Sequence, residues 1–197
     1  MKHVLTILVV LSISLLSAQT IVPLSSATPD DYGNNNYIKD TTGVLNAFVG
    51  TWQWTDGNNT FTLKFVKKTQ WNPQNFNNYK KDIILGSYQN IQNGIVTYDN
   101  LNFSTDDSQL LNENYATALA SYDSPTILSI DMGDQEKHKQ LSGYFYLQYI
   151  PNLIMEGQTL TAKLEVHPRE NWSPSLNAQP ALSGYSFPYT MILTKID

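Results

Sequence analysis

The side chains that could do acid–base or metal chemistry are few. Beyond the N-terminal segment there are two histidines, His138 in EKHK and His167 before Pro168, and they sit at no metal-ligand spacing. A metal site needs several convergent ligands. Two close carboxylate pairs, Asp106-Asp107 and Asp131 with Asp134, are of the type used in glycoside hydrolysis, where two carboxylates flank a cleft. Both pairs fall where the composition predicts turns, and Asp is favoured there for its own backbone hydrogen bonds. No GxSxG elbow, phosphate loop, HExxH or calcium-loop spacing occurs. The absence of cysteine excludes disulfides, thiolate zinc sites and cysteine nucleophiles. The chain reads as a non-enzymatic protein without metal or cofactor.

Aromatic rings are the remaining chemistry. They make up 12% of the chain, and rings either fill a core or offer a face on which a ligand stacks. Trp52 and Trp54 stand one residue apart in FVGTWQW, just behind Gly50. Trp54, Phe61, Leu63, Phe65, Phe145 and Tyr149 share an inward phase with Trp52. They are core residues or, where room remains, the wall of a site for a small apolar molecule. Tyr189 also fits the inward phase. Tyr144 and Tyr146 fall on the opposite face of their strand, and Trp71 and Trp172 in polar loops. Those four are candidates for external contact with a glycan or a protein.

The elements that must position these rings are strands. Trp52 and Trp54 alternate with Thr51, Gln53 and Thr55, and Phe61, Leu63 and Phe65 alternate with polar residues after Asp56-Gly57-Asn58-Asn59. Period-2 alternation around turn chemistry predicts a hairpin. Further strands are expected in DIILGSYQNI, IVTY, TILSIDM, LSGYFYLQYI, QTLTAKLEVH and YTMILTKI, with a tight turn at Asn93-Gly94 and a bulge or bend at Gly86. Residues 99–124 read either as a short helix carrying Leu110, Leu111, Tyr115 and Leu119 or as a large loop. Ahead of the strands, Val44, Leu45 and Phe48 have helical spacing over a turn or two, with Asp40 or Thr41 as its cap. Eight antiparallel strands joined by hairpins make a sandwich or an up-and-down barrel, and closure favours the barrel because it removes exposed edges.

The N-terminal segment, MKHVLTILVVLSISLLSAQT, pairs an early lysine with a short apolar run and a small-residue exit. That pattern predicts a signal peptide over residues 1–19, followed by an extended arm over 20–41 and the barrel domain over 42–197. The apolar run is shorter than the ~20 residues that span a bilayer. Export to the periplasm or the medium is expected, with no lipidated cysteine. Net charge is −5, and adjacent cations occur only at Lys67-Lys68 and Lys80-Lys81. Nucleic acid is a poor partner for such a surface, since neutralising phosphates takes clustered cations.

The helical turn followed by Phe48-Val49-Gly50-Thr51-Trp52 resembles the glycine-x-tryptophan start of lipocalins. The resemblance implies a calycin-like barrel with Gly50 at a tight entry and Trp52 as an internal plug. It also implies a basic residue from the chain's far end stacked on that ring. Lys195 in ILTKI is the matching position, with lysine in place of the expected arginine. A second likeness covers nearly the whole chain. YIKDTTGVLNAFVGTWQWTDGNNTF, YKKDIILGSYQNIQNG and FPYTMILTKI resemble a family of secreted proteins of flavobacteria-type bacteria whose function is unknown. It implies export and a compact β domain, and it brings no catalytic residues. The expected fold is therefore all-β: an eight-stranded antiparallel up-and-down barrel, lipocalin-like, with a short N-terminal helical turn.

Overall fold

The computed structural model describes residues 19–72, 78–106, 116–148, 159–169 and 180–197. The chain enters through two short strands, β1 (Ile21–Pro23) and β2 (Tyr37–Lys39), and a 3-10 turn at Val44–Ala47. Then follow β3 (Gly50–Asp56), β4 (Asn59–Trp71), β5 (Lys80–Gln92), β6 (Ile95–Asp99), β7 (Ala118–Ser124), β8 (Ile127–Asp134), β9 (Lys139–Leu147), β10 (Thr161–Pro168) and β11 (Thr190–Lys195). Eight of them close an antiparallel barrel in the order β5-β4-β3-β11-β10-β9-β8-β7, with β7 returning to β5. Strands β1, β2 and β6 lie outside it. Among the described residues the helical content is limited to 3-10 turns.

The membership of the barrel differs from expectation in two places that offset one another. IVTY does form a strand after the Asn93-Gly94 turn, where both residues take positive φ (53° and 79°), as a two-residue hairpin of mirror-image type requires. That strand, β6, pairs only with the far end of β5 and stays off the barrel. Its place is taken by β7, from the stretch that reads as helix or loop, which pairs with Ile84–Gly86 of β5. Leu110, Leu111 and Tyr115 lie outside the described residues, and Leu119 is the outward residue between inward Ala118 and Ala120. Strand β5 is long enough to share one edge among three partners: β2 at Lys80 and Lys81, β7 in the middle, β6 from Gln89 to Gln92. Each backbone group on that edge takes one partner, so β6 and β7 divide it rather than compete.

The register explains the core. Trp52 lies opposite Leu63, and Leu63 opposite Tyr88. The same phase carries Leu128, Ile130 and Met132 on β8, Phe145 on β9, Leu164 on β10 and Leu193 on β11, all 0–1% exposed. The Phe145 ring meets Trp52, Phe65 and Phe48 edge-on at 5.1, 5.0 and 6.3 Å. Such pairs add about 0.5–1.5 kcal/mol each beyond the burial of their area. Tyr189 breaks the inward phase: it precedes β11 and is 40% exposed, set edge-on against Tyr185 at 4.1 Å instead. Gly86 marks no bulge, since β4 and β5 stay in register there. A side chain at that position would meet the Phe65 ring at 2.7 Å, so glycine makes room for the ring.

Candidate functional site

Strand β3 runs from one end of the barrel to the other, and its two tryptophans mark two different ends. At the entry, Trp52 is fully buried and its indole N–H donates to Phe48 O at 2.8 Å. Leu45 and Phe48, from the 3-10 turn, are also fully buried. The turn is held by Asp40, whose carboxylate accepts from the N–H of Val44 and Leu45 and from Lys67 Nζ at 2.7 Å. Burial alone would raise the Asp40 carboxyl. The Lys67 hydrogen bond, the Leu45 N–H, the Lys67 charge and the Val44 N–H outweigh it and hold the group below its ordinary value.

Lys195 lies opposite Trp52 in the closing β11–β3 pair, with Nζ 5.4 Å from the ring centroid. Lysine thus supplies the cation–π contact that the arginine of the resemblance would make. Gly50 has φ of 129°, and a side chain there would meet Lys195 Cε and Asp197 Oδ1 at 2.7 Å. Asp197 accepts from both the N–H and the hydroxyl of Thr51, which depresses its pKa. The three residues expected at the plug, Gly50, Trp52 and Lys195, are therefore brought together.

The residues expected to wall an internal ligand site separate into two groups. Phe61, Leu63, Phe65 and Phe145 are 0–1% exposed and belong to the buried core. Trp54 is half-buried and lies at the opposite end, where it opens onto a cleft of about 340 Å³. Tyr149 and Trp172 lie outside the described residues. Trp71 is not in a loop: β4 runs through it, past an irregularity between Lys68 and Trp71, and it pairs with Lys81.

The cleft grows directly from the sheet. Trp54 lies opposite Phe61, and Phe61 opposite Asn90. One row across three strands thus puts a ring, a second ring and an amide side by side. Segment 182–188 crosses this end and brings Phe187, tilted against Phe61 at 4.6 Å, together with Pro188. Ser186 fixes the segment. Its N–H and hydroxyl both donate to Asp134, a fully buried carboxylate, and its carbonyl accepts from Asn90 Nδ2 at 3.0 Å and Gln92 Nε2 at 2.8 Å. Asp134 also accepts from the Lys137 N–H. The Tyr88 hydroxyl beneath accepts from Gln135 N, and burial pushes its pKa well up.

Asn90 is 3% exposed, and its Nδ2 meets three acceptors: Glu136 Oε2, Thr97 Oγ1 and Ser186 O. Those contacts fix the amide's orientation. Its Oδ1 accepts no hydrogen bond from the described residues. At the rim, Asn59 Oδ1 accepts from the Asn93 N–H, which leaves Asn59 Nδ2 to donate, and Asp56 is exposed. Among the described residues, no Lys, Arg or His lines the cleft.

The remaining candidates stay apart. His167 is exposed and lies 3.7 Å from Glu165, and His138 occupies a turn with φ of 54°. Asp131 and Asp134 belong to β8 rather than to a turn, the first exposed and 3.8 Å from Arg169, the second buried. Asp106 is exposed, and its neighbour Asp107 lies outside the described residues. Among the described residues, no group of three His, Asp or Glu side chains gathers to hold a metal ion.

Residues 1–196 match DUF6705, described as a family of unknown function. The chain belongs to the DUF6705 family. No curated protein and no solved structure matches it. In this DUF6705 chain the site therefore rests on its own geometry. Asn90, Gln92, Asp134, Ser186 and Phe187 are site residues that the sequence reading missed. One signal was available: Ile84, Gly86, Tyr88 and Asn90 share the inward phase of β5, and an amide in that phase is a polar group placed inside a barrel.

Proposed function

We propose that this protein is an exported, non-enzymatic binding barrel without a lipid anchor, and that it takes a small ligand in the cleft at the end opposite Trp52. The observation that carries the proposal is the Trp54–Phe61–Asn90 row, which sets the Trp54 ring near an amide whose Nδ2 is held by Ser186, Glu136 and Thr97 and whose Oδ1 takes no hydrogen bond among the described residues. The volume falls in the range of ligand clefts, ~300–1,000 Å³, and the lining sets Trp54, Ile91, Phe187 and Pro188 among polar side chains. An apolar molecule seated deeper has less support, because Phe65 and Phe145 pack on each other, Phe145 packs on Trp52, and Phe61 packs on Tyr88 and Phe187. A thermal-shift screen of apolar and polar small molecules tests the proposal, since ligand binding to the folded state raises the midpoint. A hit should lose its shift in Trp54→Ala and keep it in Trp71→Ala. A screen with no hit of either kind would sink it.

A second reading, contact with a glycan or a protein through the outer surface, has one observation in its favour. Tyr144 is 44% exposed and lies 5.7 Å from Tyr146, with Ile192 exposed nearby on β11. Capture of such a partner should fail in a Tyr144→Ser, Tyr146→Ser double variant of unchanged stability. Capture that instead depends on Trp71 or Trp172 would move the contact away from Tyr144 and Tyr146.

A further inference from the structure

We infer that the ligand of the cleft is a neutral sugar unit, its ring lying on the indole of Trp54 and its hydroxyls bonded to Asn59, Asn90 and Gln92. The inference rests on the cleft being the binding site, and it names the class of molecule that fits there.

Charge narrows the class first. With no Lys, Arg or His among the described residues of the lining, a phosphate or carboxylate would be desolvated with none of them to offset its charge. A cationic ligand would find one carboxylate in the lining, that of exposed Asp56. A neutral ligand fits best.

The amides narrow it further. Asn90 and Gln92 each spend their NH₂ on Ser186 O, and Asn90 also on Glu136 and Thr97. Both are thereby held with the carbonyl oxygen left to accept. Asn59 is held the other way, its Oδ1 taken by the Asn93 N–H, so that its NH₂ is left to donate. A hydrocarbon entering here would strip water from three amides and return no hydrogen bond, a loss of affinity at each. A hydroxyl donates and accepts at once, and a pyranose presents several around a ring whose C–H face is apolar. That face suits Trp54, with Phe187 and Pro188 as the rest of the apolar wall. Asp56 adds an acceptor at the rim.

The network beneath also makes the site preorganised. Asn90, Ser186 and Asp134 are all at least nine-tenths buried and bonded to one another in a chain, so their positions are set before a ligand arrives.

The test is isothermal titration of the full mature chain with neutral saccharides: glucose, galactose, mannose, N-acetylglucosamine and short oligomers of each. Anilinonaphthalene sulfonate, as an apolar probe, and a uronic acid are titrated in parallel. At least one neutral saccharide should bind saturably. Trp54→Ala should weaken it by about tenfold or more, and Gln92→Ala or Asn59→Ala by about tenfold, the value of one well-made hydrogen bond to a ligand. These three positions are partly exposed, so unfolding midpoints should hardly move. If the dye binds in a Trp54-dependent way and no neutral saccharide does, the sugar inference fails while the cleft survives as a site. If neither binds, both fail. Saccharide binding indifferent to Trp54, or preference for the uronic acid, would also overturn it.

Discussion

Strand β3 offers two tryptophans to the same interior, and the two ends of the barrel use them differently. At the Trp52 end three polar groups are committed within the chain: the indole to Phe48, the Asp40 carboxylate to two N–H groups and Lys67, the Asp197 carboxylate to Thr51. At the Trp54 end the polar groups are just as firmly held, yet Asn90 keeps an oxygen in reserve. A core satisfies its polar groups internally, whereas a site leaves some for a ligand. If the cleft binds as proposed, two residues along one strand separate a stopper from a receptor.

The comparison can be broken most sharply at the stopper. Trp52→Ala should cost about 3–5 kcal/mol in urea unfolding, as large aromatic truncations in cores do. A loss near 0.5 kcal/mol, the scale of surface changes, would remove Trp52 from the plug. Gly50→Ala should cost roughly 1–3 kcal/mol, because a φ of 129° is strained for any residue with a side chain and the added atom meets Lys195 and Asp197. A neutral result would mean that the C-terminal residues move aside freely.

Acid should weaken the stopper end through Asp40. The Asp40 carboxyl has a folded pKa below its unfolded value of ~3.9. Its contribution to stability is therefore present above that unfolded value and is lost as pH falls through the folded one. Urea midpoints measured from pH 6 down to pH 2.5 should fall less steeply for Asp40→Asn than for the unaltered chain. Parallel slopes would mean that the Lys67 pair contributes nothing. The smallest effects are Trp54→Ala at about 1 kcal/mol or less and Lys195→Met at about 0.5–1 kcal/mol, the loss of a partly exposed cation–π contact.

Much of the stopper was legible because its signals are local. Gly50, Trp52 and Trp54 lie within five residues, the helical turn sits immediately ahead, and Lys195 falls in the last strand in a matching phase. Alternation was also enough to orient β8, β9 and β10. Strand β7 was missed because its inward residues, Ala118 and Ala120, are small and give little hydrophobic contrast. Strand β6 was assigned to the barrel because the Asn93-Gly94 turn fixes a hairpin without fixing which of its strands closes a sheet. The receptor is the least legible part. Ser186 meets Asn90 across 96 positions of sequence and Asp134 across 52, and no periodicity links segments so far apart. Asp134 has the composition of a turn around it and takes its role only when segment 182–188 folds back.

The central claim is that Trp54 receives a ligand and Trp52 does not, and one spectrum can test it. In a ¹H–¹⁵N correlation spectrum each tryptophan gives an indole N–H resonance, assignable by single Trp→Phe variants. On titration with the saccharide of highest affinity, the Trp54 indole resonance should shift saturably, while that of Trp52, bonded to Phe48 O, stays fixed. A Trp54 resonance that never moves, or a Trp52 resonance that moves with it, would contradict the account.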